Sequence, residues 1–129
     1  MIEVGEYIRT SRGIIGKIIR VEFDEIDKSL KWYVFLGKDE FGIEKEIYIN
    51  KPYIKNHSKE PIDLIEVGDY VNGKRVFATN NRINDNGEKV ILTENYDEWT
   101  DDGVIANKDI ETILTKELFE ANCYKVKEE

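Results

Sequence analysis

The chain is short of the residues on which many small enzymes and metal sites depend. One cysteine among 129 residues can form no internal disulfide and supply no Cys-rich zinc site. One histidine excludes His-pair metal motifs. Two prolines, and no stretch rich in Ser, Gly or Pro, leave no unstructured linker. Three alanines stand against eighteen isoleucines, and seven Tyr, five Phe and two Trp add to the strand-forming side. No apolar run approaches the roughly 20 residues of a membrane span. The first ten residues, MIEVGEYIRT, put acids where a secretory signal would have a basic start and an apolar core. These absences predict a cytoplasmic protein away from the membrane. At 40% hydrophobic residues there is enough apolar material for a core.

Charge is plentiful and uneven. The net charge is −8, and residues 91–129 alone carry four bases against eleven acids, a net of −7. An acidic surface repels the phosphate backbone of nucleic acids and suits a basic partner. The same charge also reads as an ordinary solvated face that keeps the protein soluble.

The clearest internal pattern is a repeat. Residues 2–8 read IEVGEYI and residues 65–71 read IEVGDYV, with every position identical or conservatively exchanged. Two readings fit: a duplicated β unit, or one local solution, a turn at Gly followed by a strand, used twice. In the first half the pattern predicts a strand over 5–10, a turn at Ser11-Arg12-Gly13, and a second strand over 14–23. In that strand Ile15, Ile19, Val21 and Phe23 share one face, opposite Ile14 and Ile18. Residues 30–36 and 43–49 alternate again, joined by a hairpin at Asp39-Glu40-Phe41-Gly42. Pro52 relegates 51–55 to a sheet edge or connection, and residues 56–61 mark the division between halves. In the second half Asn72-Gly73 signals a type I′ hairpin joining 69–71 to 75–79. Asn84–Gly87 reads as another turn before a strand over 88–93. Residues 94–103 read as a polar loop, Ile110–Leu114 as a strand, and Thr115 as the N-cap of a helix over about 116–122. Glu117 stands in its first turn, and Leu114 and Phe119 are placed as a hydrophobic staple. Cys123–Lys127 is expected to close the sheet. The expected fold is therefore mainly β: two small SH3-like or partly open barrel units, 1–56 and 57–129, with a short C-terminal α-helix, as separate domains or as one compact domain holding both.

Side chains suited to chemistry are sparse. His57 beside Ser58 lacks the orienting carboxylate and oxyanion donors that a nucleophilic serine requires, and reads as an exposed loop histidine. Cys123 lies in acidic surroundings, which raise a thiol pKa, and reads as a buried structural thiol. Gly13–Lys17 lacks the spacing and following hydroxyl of a phosphate loop. The most unusual stretch is 94–102, where five acids flank Tyr96 and Trp99. Calcium-loop spacing is absent there, and no metal or other cofactor is expected. Aromatic anchors set among steering charges instead describe a protein-contact loop, with Tyr96, Asp97, Glu98, Trp99, Asp101 and Asp102 as its candidate residues. A solvated loop with Trp99 folded back on the core is the competing reading. Arg9, Arg12, Lys17 and Arg20 cluster in the first hairpin near Tyr7, a basic patch that a small barrel could turn toward nucleic acid. No enzymatic activity is expected, and exposed strand edges leave room for a homodimer.

HSKEPIDLIEVGDYVNGKRV (57–76) and IETILTKELFEANCYKV (110–126) resemble segments of small uncharacterised proteins encoded by phages, prophages and related elements of Firmicutes. The resemblance covers mainly the second half; the first half is related in kind through its Gly-x-Tyr-Ile-Arg-Thr and Gly-x-Ile-Gly-Lys-Ile pattern. It carries no catalytic residues. It implies a phage-type source and a cytoplasmic setting in a bacterial host. By analogy with other small acidic phage proteins, it also implies a non-enzymatic binding module that meets a basic nucleic-acid-binding host protein, with inhibition of that protein as one outcome. A nucleic-acid-binding barrel is the alternative.

Overall fold

The computed structural model describes residues 2–38 and 41–122. These form a mainly β structure with two five-stranded antiparallel sheets and one short helix, and neither sheet closes into a barrel. The chain divides into two compact units, Met1–Leu64 and Ile65–Glu129. The expected division at 56/57 falls inside a strand. That strand pairs with the first strand of the chain, and a 3-10 turn over Pro61–Leu64 follows it within the same unit.

The first unit runs β1 (Tyr7–Thr10), β2 (Ile15–Phe23), β3 (Lys31–Lys38), β4 (Glu44–Ile49), a 3-10 turn at Lys51–Tyr53, and β5 (Ile54–Ser58). The second runs β6 (Tyr70–Val71), β7 (Lys74–Ile83), β8 (Lys89–Asp97), β9 (Asp102–Ala106), a 3-10 turn at Asn107–Asp109, β10 (Ile113–Leu114) and α1 (Lys116–Asn122). Strand order is β4-β3-β2-β1-β5 in one and β9-β8-β7-β6-β10 in the other. Each unit is thus a four-strand meander whose fifth strand returns, after a 3-10 turn, to pair with the first. This is the arrangement of an SH3-like unit left open.

The repeated heptapeptide makes the same turn in both. Gly5 and Gly68 take φ of 94° and 98°, a region open to Gly and costly for other residues. Their N–H groups donate to the carbonyls of Ile18 and Val76, each at 2.9 Å. The carboxylate of Glu6 accepts the Glu3 N–H at 2.6 Å, and that of Asp69 accepts the Glu66 N–H at 2.7 Å. Ile2 and Ile65, Ile8 and Val71, and Ile18 and Val76 are buried at matching places. The repeat is therefore a structural one, and the five-strand plan around it is shared.

The core of the first unit gathers Ile2, Ile8, Ile18, Tyr33 and Phe35, with Ile14, Val21, Ile47, Ile49 and Ile54 packed around them. This departs from the simple alternation expected of β2. A bulge between Ile18 and Arg20 inserts one residue, so Ile18 and Val21 both face the core while Ile19 turns out. Phe23, expected beside Val21, is exposed, as is Ile43 ahead of β4. In the second unit β7 and β8 extend past their expected ends, and 94–103 is a hairpin rather than a loop. Asn72 and Gly73 both have positive φ, 52° and 80°, as a type I′ turn requires. Thr115 caps α1 as expected, its Oγ1 accepting the Leu118 N–H at 3.4 Å. Phe119 stacks on Tyr70 with centroids 4.9 Å apart. Asp39, Glu40, Cys123 and the strand expected over Cys123–Lys127 lie outside the described residues. No helix among the described residues is long and apolar enough to cross a membrane.

Candidate functional site

The β8–β9 hairpin places the six residues expected of a contact loop. Asp97 ends β8 and Asp102 begins β9, directly opposite each other. Between them the chain turns over four residues. The Asp97 carbonyl accepts the N–H groups of Thr100 at 3.3 Å and Asp101 at 2.8 Å, and the Asp97 carboxylate accepts the Trp99 N–H at 2.9 Å. Asp101 takes the left-handed conformation, φ 60°, which Asp tolerates better than most residues. Gly103 follows at a bulge where any Cβ would lie 2.5 Å from the Tyr96 nitrogen. Only Gly lets the two strands approach so closely there.

This turn holds Trp99 at the tip, 88% exposed. The reading in which Trp99 folds back on the core is thereby set aside. Tyr96 is partly exposed and packs on Phe77 of β7, centroids 6.1 Å apart, so one aromatic anchors the hairpin and the other is displayed. Asp97, Glu98, Asp101 and Asp102 are all exposed, and none forms an ion pair among the described residues. A like-charged pair directly across a ladder is unfavourable, so Asp97 and Asp102 leave a local repulsion that a cation would relieve.

The four bases of the first hairpin are not brought together as a patch. Arg9 is fully buried, its Nη1 donating to the Leu64 carbonyl at 3.0 Å. β1 is an inner strand, and the turn over Pro61–Leu64 packs against it. Arg20 is spent on acids: its guanidinium donates to both Glu46 oxygens, to Glu22 and to the Tyr48 hydroxyl, and lies over the Tyr48 ring. Glu46 first and Glu22 second raise its pKa further, and the pairing holds the Glu46 carboxyl below its ordinary range. Arg20 and Tyr48 flank Val34 in one cross-strand row, and Val34 is completely buried. Only Arg12 and Lys17 remain exposed, Lys17 over the Tyr7 ring.

His57 is not a loop residue. It lies in β5 opposite Ile8, and its Nδ1 sits 3.1 Å from a Glu6 oxygen. The Glu3 N–H, foremost, and His57 hold the Glu6 carboxyl below its ordinary pKa, against the effect of burial. Ser58 turns away and donates to Asp63 at 2.6 Å, so no Ser–His pair forms. The Glu6–His57 pair spans 51 positions and left no local signal in the sequence. Among the described residues no three His, Cys, Asp or Glu side chains gather as a metal site. Comparison with family models, with curated proteins and with solved structures returns no match for this chain.

Proposed function

We propose that the chain is a non-enzymatic protein-binding module that meets a basic partner through the β8–β9 hairpin. The observation that carries this reading is Trp99, displayed at the hairpin tip within a frame of four carboxylates that form no ion pairs among the described residues. Exposed Trp is the residue most enriched at binding hot spots, and acids around it speed encounter with a cationic surface. The scaffold suits a binding role, because the hairpin conformation is fixed by its own hydrogen bonds and by Gly103, so little ordering is needed on binding. The resemblance of 57–76 and 110–126 to phage proteins makes a basic nucleic-acid-binding protein of a bacterial host the partner to seek, with inhibition of that protein as the outcome. With Arg9 buried and Arg20 neutralised, the alternative of a nucleic-acid-binding barrel loses half of its proposed contacts.

The test is an affinity capture from bacterial lysate at moderate salt with wild type and two variants, Trp99→Ala and Asp97→Asn/Asp102→Asn. The reading expects one basic protein retained by wild type, lost with Trp99→Ala, and bound more slowly and with a weaker salt dependence by the double variant. Equal retention by all three, or recovery of nucleic acid in place of protein, overturns it.

A further inference from the structure

The open sheet of the first unit leaves a cleft of about 420 Å³ between the β1–β2 turn, the start of β3, the end of β4 and the 3-10 turn. Ile14, Ile47, Ile49 and Tyr53 line it above the buried Phe35, while Trp32 and Tyr48 border it from the opposite face of β3 and β4. The floor is low because two glycines make room for it. A Cβ on Gly16 would lie 2.2 Å from the Phe35 ring, and one on Gly37 would lie 2.3 Å from the end of Ile47. Tyr53 is held in place by the 3-10 turn, where its carbonyl accepts the Ser11 N–H.

Among the described residues Arg12 is the sole charged residue lining the cleft; it is exposed, and among them it has neither a hydrogen bond nor an ion pair. No acid is among the described residues that line the cleft, although twelve acids lie in residues 1–64. Thr10, Ser11 and Asn50 complete the lining. A cavity of this size suits a small molecule, with aromatic walls and few oriented polar groups. Planar rings stack on fixed aromatic side chains, and an unpaired guanidinium takes a carboxylate or phosphate in bidentate fashion.

We infer that this cleft binds a small planar aromatic anion, its ring against Ile47, Ile49 and Tyr53 and its acidic group on Arg12. The site is separate from the β8–β9 hairpin in sequence and unit, so either can fail without the other. Aromatic carboxylates and nucleoside monophosphates both present this chemistry. The experiment titrates indole-3-carboxylate and adenosine 5′-monophosphate separately into the full chain, following amide shifts by NMR. Indole and adenosine serve as neutral controls. Whichever acid binds identifies the source. Its shifts should centre on residues 10–14, 32–35 and 47–53, and its affinity should exceed that of its neutral control at least tenfold. Arg12→Gln should weaken it about tenfold and Tyr53→Ala by a similar factor, while Trp99→Ala should leave it unchanged. Both variants change exposed side chains, so folding is preserved, and the amide spectrum verifies this directly. Absence of shifts with both acids at millimolar concentration overturns the inference. So does equal binding of the neutral controls, undiminished affinity in Arg12→Gln, or shifts centred elsewhere.

Discussion

The two units use one turn for two purposes. In both, a Gly with positive φ and the acid after it shape the entry to the first strand, and one carboxylate oxygen accepts the N–H three residues back. The second oxygen differs. Glu6, a methylene longer, reaches across to His57 of the fifth strand. Asp69, shorter and fully buried, accepts the Lys116 N–H at 2.9 Å and so anchors the start of α1. A repeat that looks conservative in sequence, Glu against Asp, thus separates a side-chain pair from a helix cap. The turn fixes where the carboxylate stands, while side-chain length decides which neighbour it can serve.

The largest effect that sharpens this contrast is expected from Asp69→Ala. It removes charge-assisted bonds to two backbone N–H groups in a buried place and should cost about 3 kcal/mol by denaturant midpoint. Glu6→Ala should cost about half as much, because one of its two bonds goes to a half-exposed imidazole. Equal losses would show that the two acids do the same work and would break the comparison.

Next come the glycines. Nothing lies within 4 Å of a Cβ on Gly5, and a Cβ on Gly68 would make only ordinary contact with Lys116. Gly5→Ala and Gly68→Ala should therefore each cost about 1–2 kcal/mol, from backbone strain alone. Unequal costs by thermal or denaturant unfolding would mean that the turns are not equivalent.

A pH series probes the first unit alone. The folded Glu6 carboxyl lies below its ordinary value of 4.5. A depressed carboxyl contributes stability above its unfolded pKa and loses it as pH falls toward its folded one. The stability difference between wild type and Glu6→Gln should thus shrink as pH falls below about 5. A difference that grows as pH falls below about 5 would reverse the sign and refute the lowered carboxyl. Smallest of all, Trp99→Ala should change stability by less than about 0.5 kcal/mol, since the ring is almost wholly in solvent. A larger loss would show the hairpin tip to be structural.

Much of this was legible because it is local. The repeat, the Asn72-Gly73 turn and the Thr115 cap are each written within a few residues, where backbone preference and short hydrogen bonds decide the outcome. The bulge in β2 was not legible: every residue from Ile14 to Ile19 except Gly16 and Lys17 is isoleucine, so either phase of the alternation satisfies the pattern. The β8–β9 hairpin was hidden by acids that disfavour strands, and its ladder is held by Thr93, buried and bonded to the Gly103 carbonyl. Arg9 misled for a different reason. Alternation assigns it a face, but what covers that face, the turn ending at Leu64, lies 55 residues away. The candidate contact residues at 94–102 could be named from composition alone. Their fixed geometry, and the cleft at Arg12, could not, since each needs strands that meet only in three dimensions.

Asn72 does more than turn the chain. Its backbone sits at the left-handed corner of the β6–β7 hairpin, while its side chain accepts the N–H groups of Glu111 and Thr112 and donates to the Asp109 carbonyl. The side chain is presented correctly only once the corner has formed, and its partners arrive only when the approach to β10 docks. One residue therefore ties the corner of the β6–β7 hairpin to the approach to the fifth strand. Asn72→Gly, which keeps the corner and discards the three side-chain bonds, would uncouple them. The fifth strand would then exchange its amide protons ahead of the rest of the sheet.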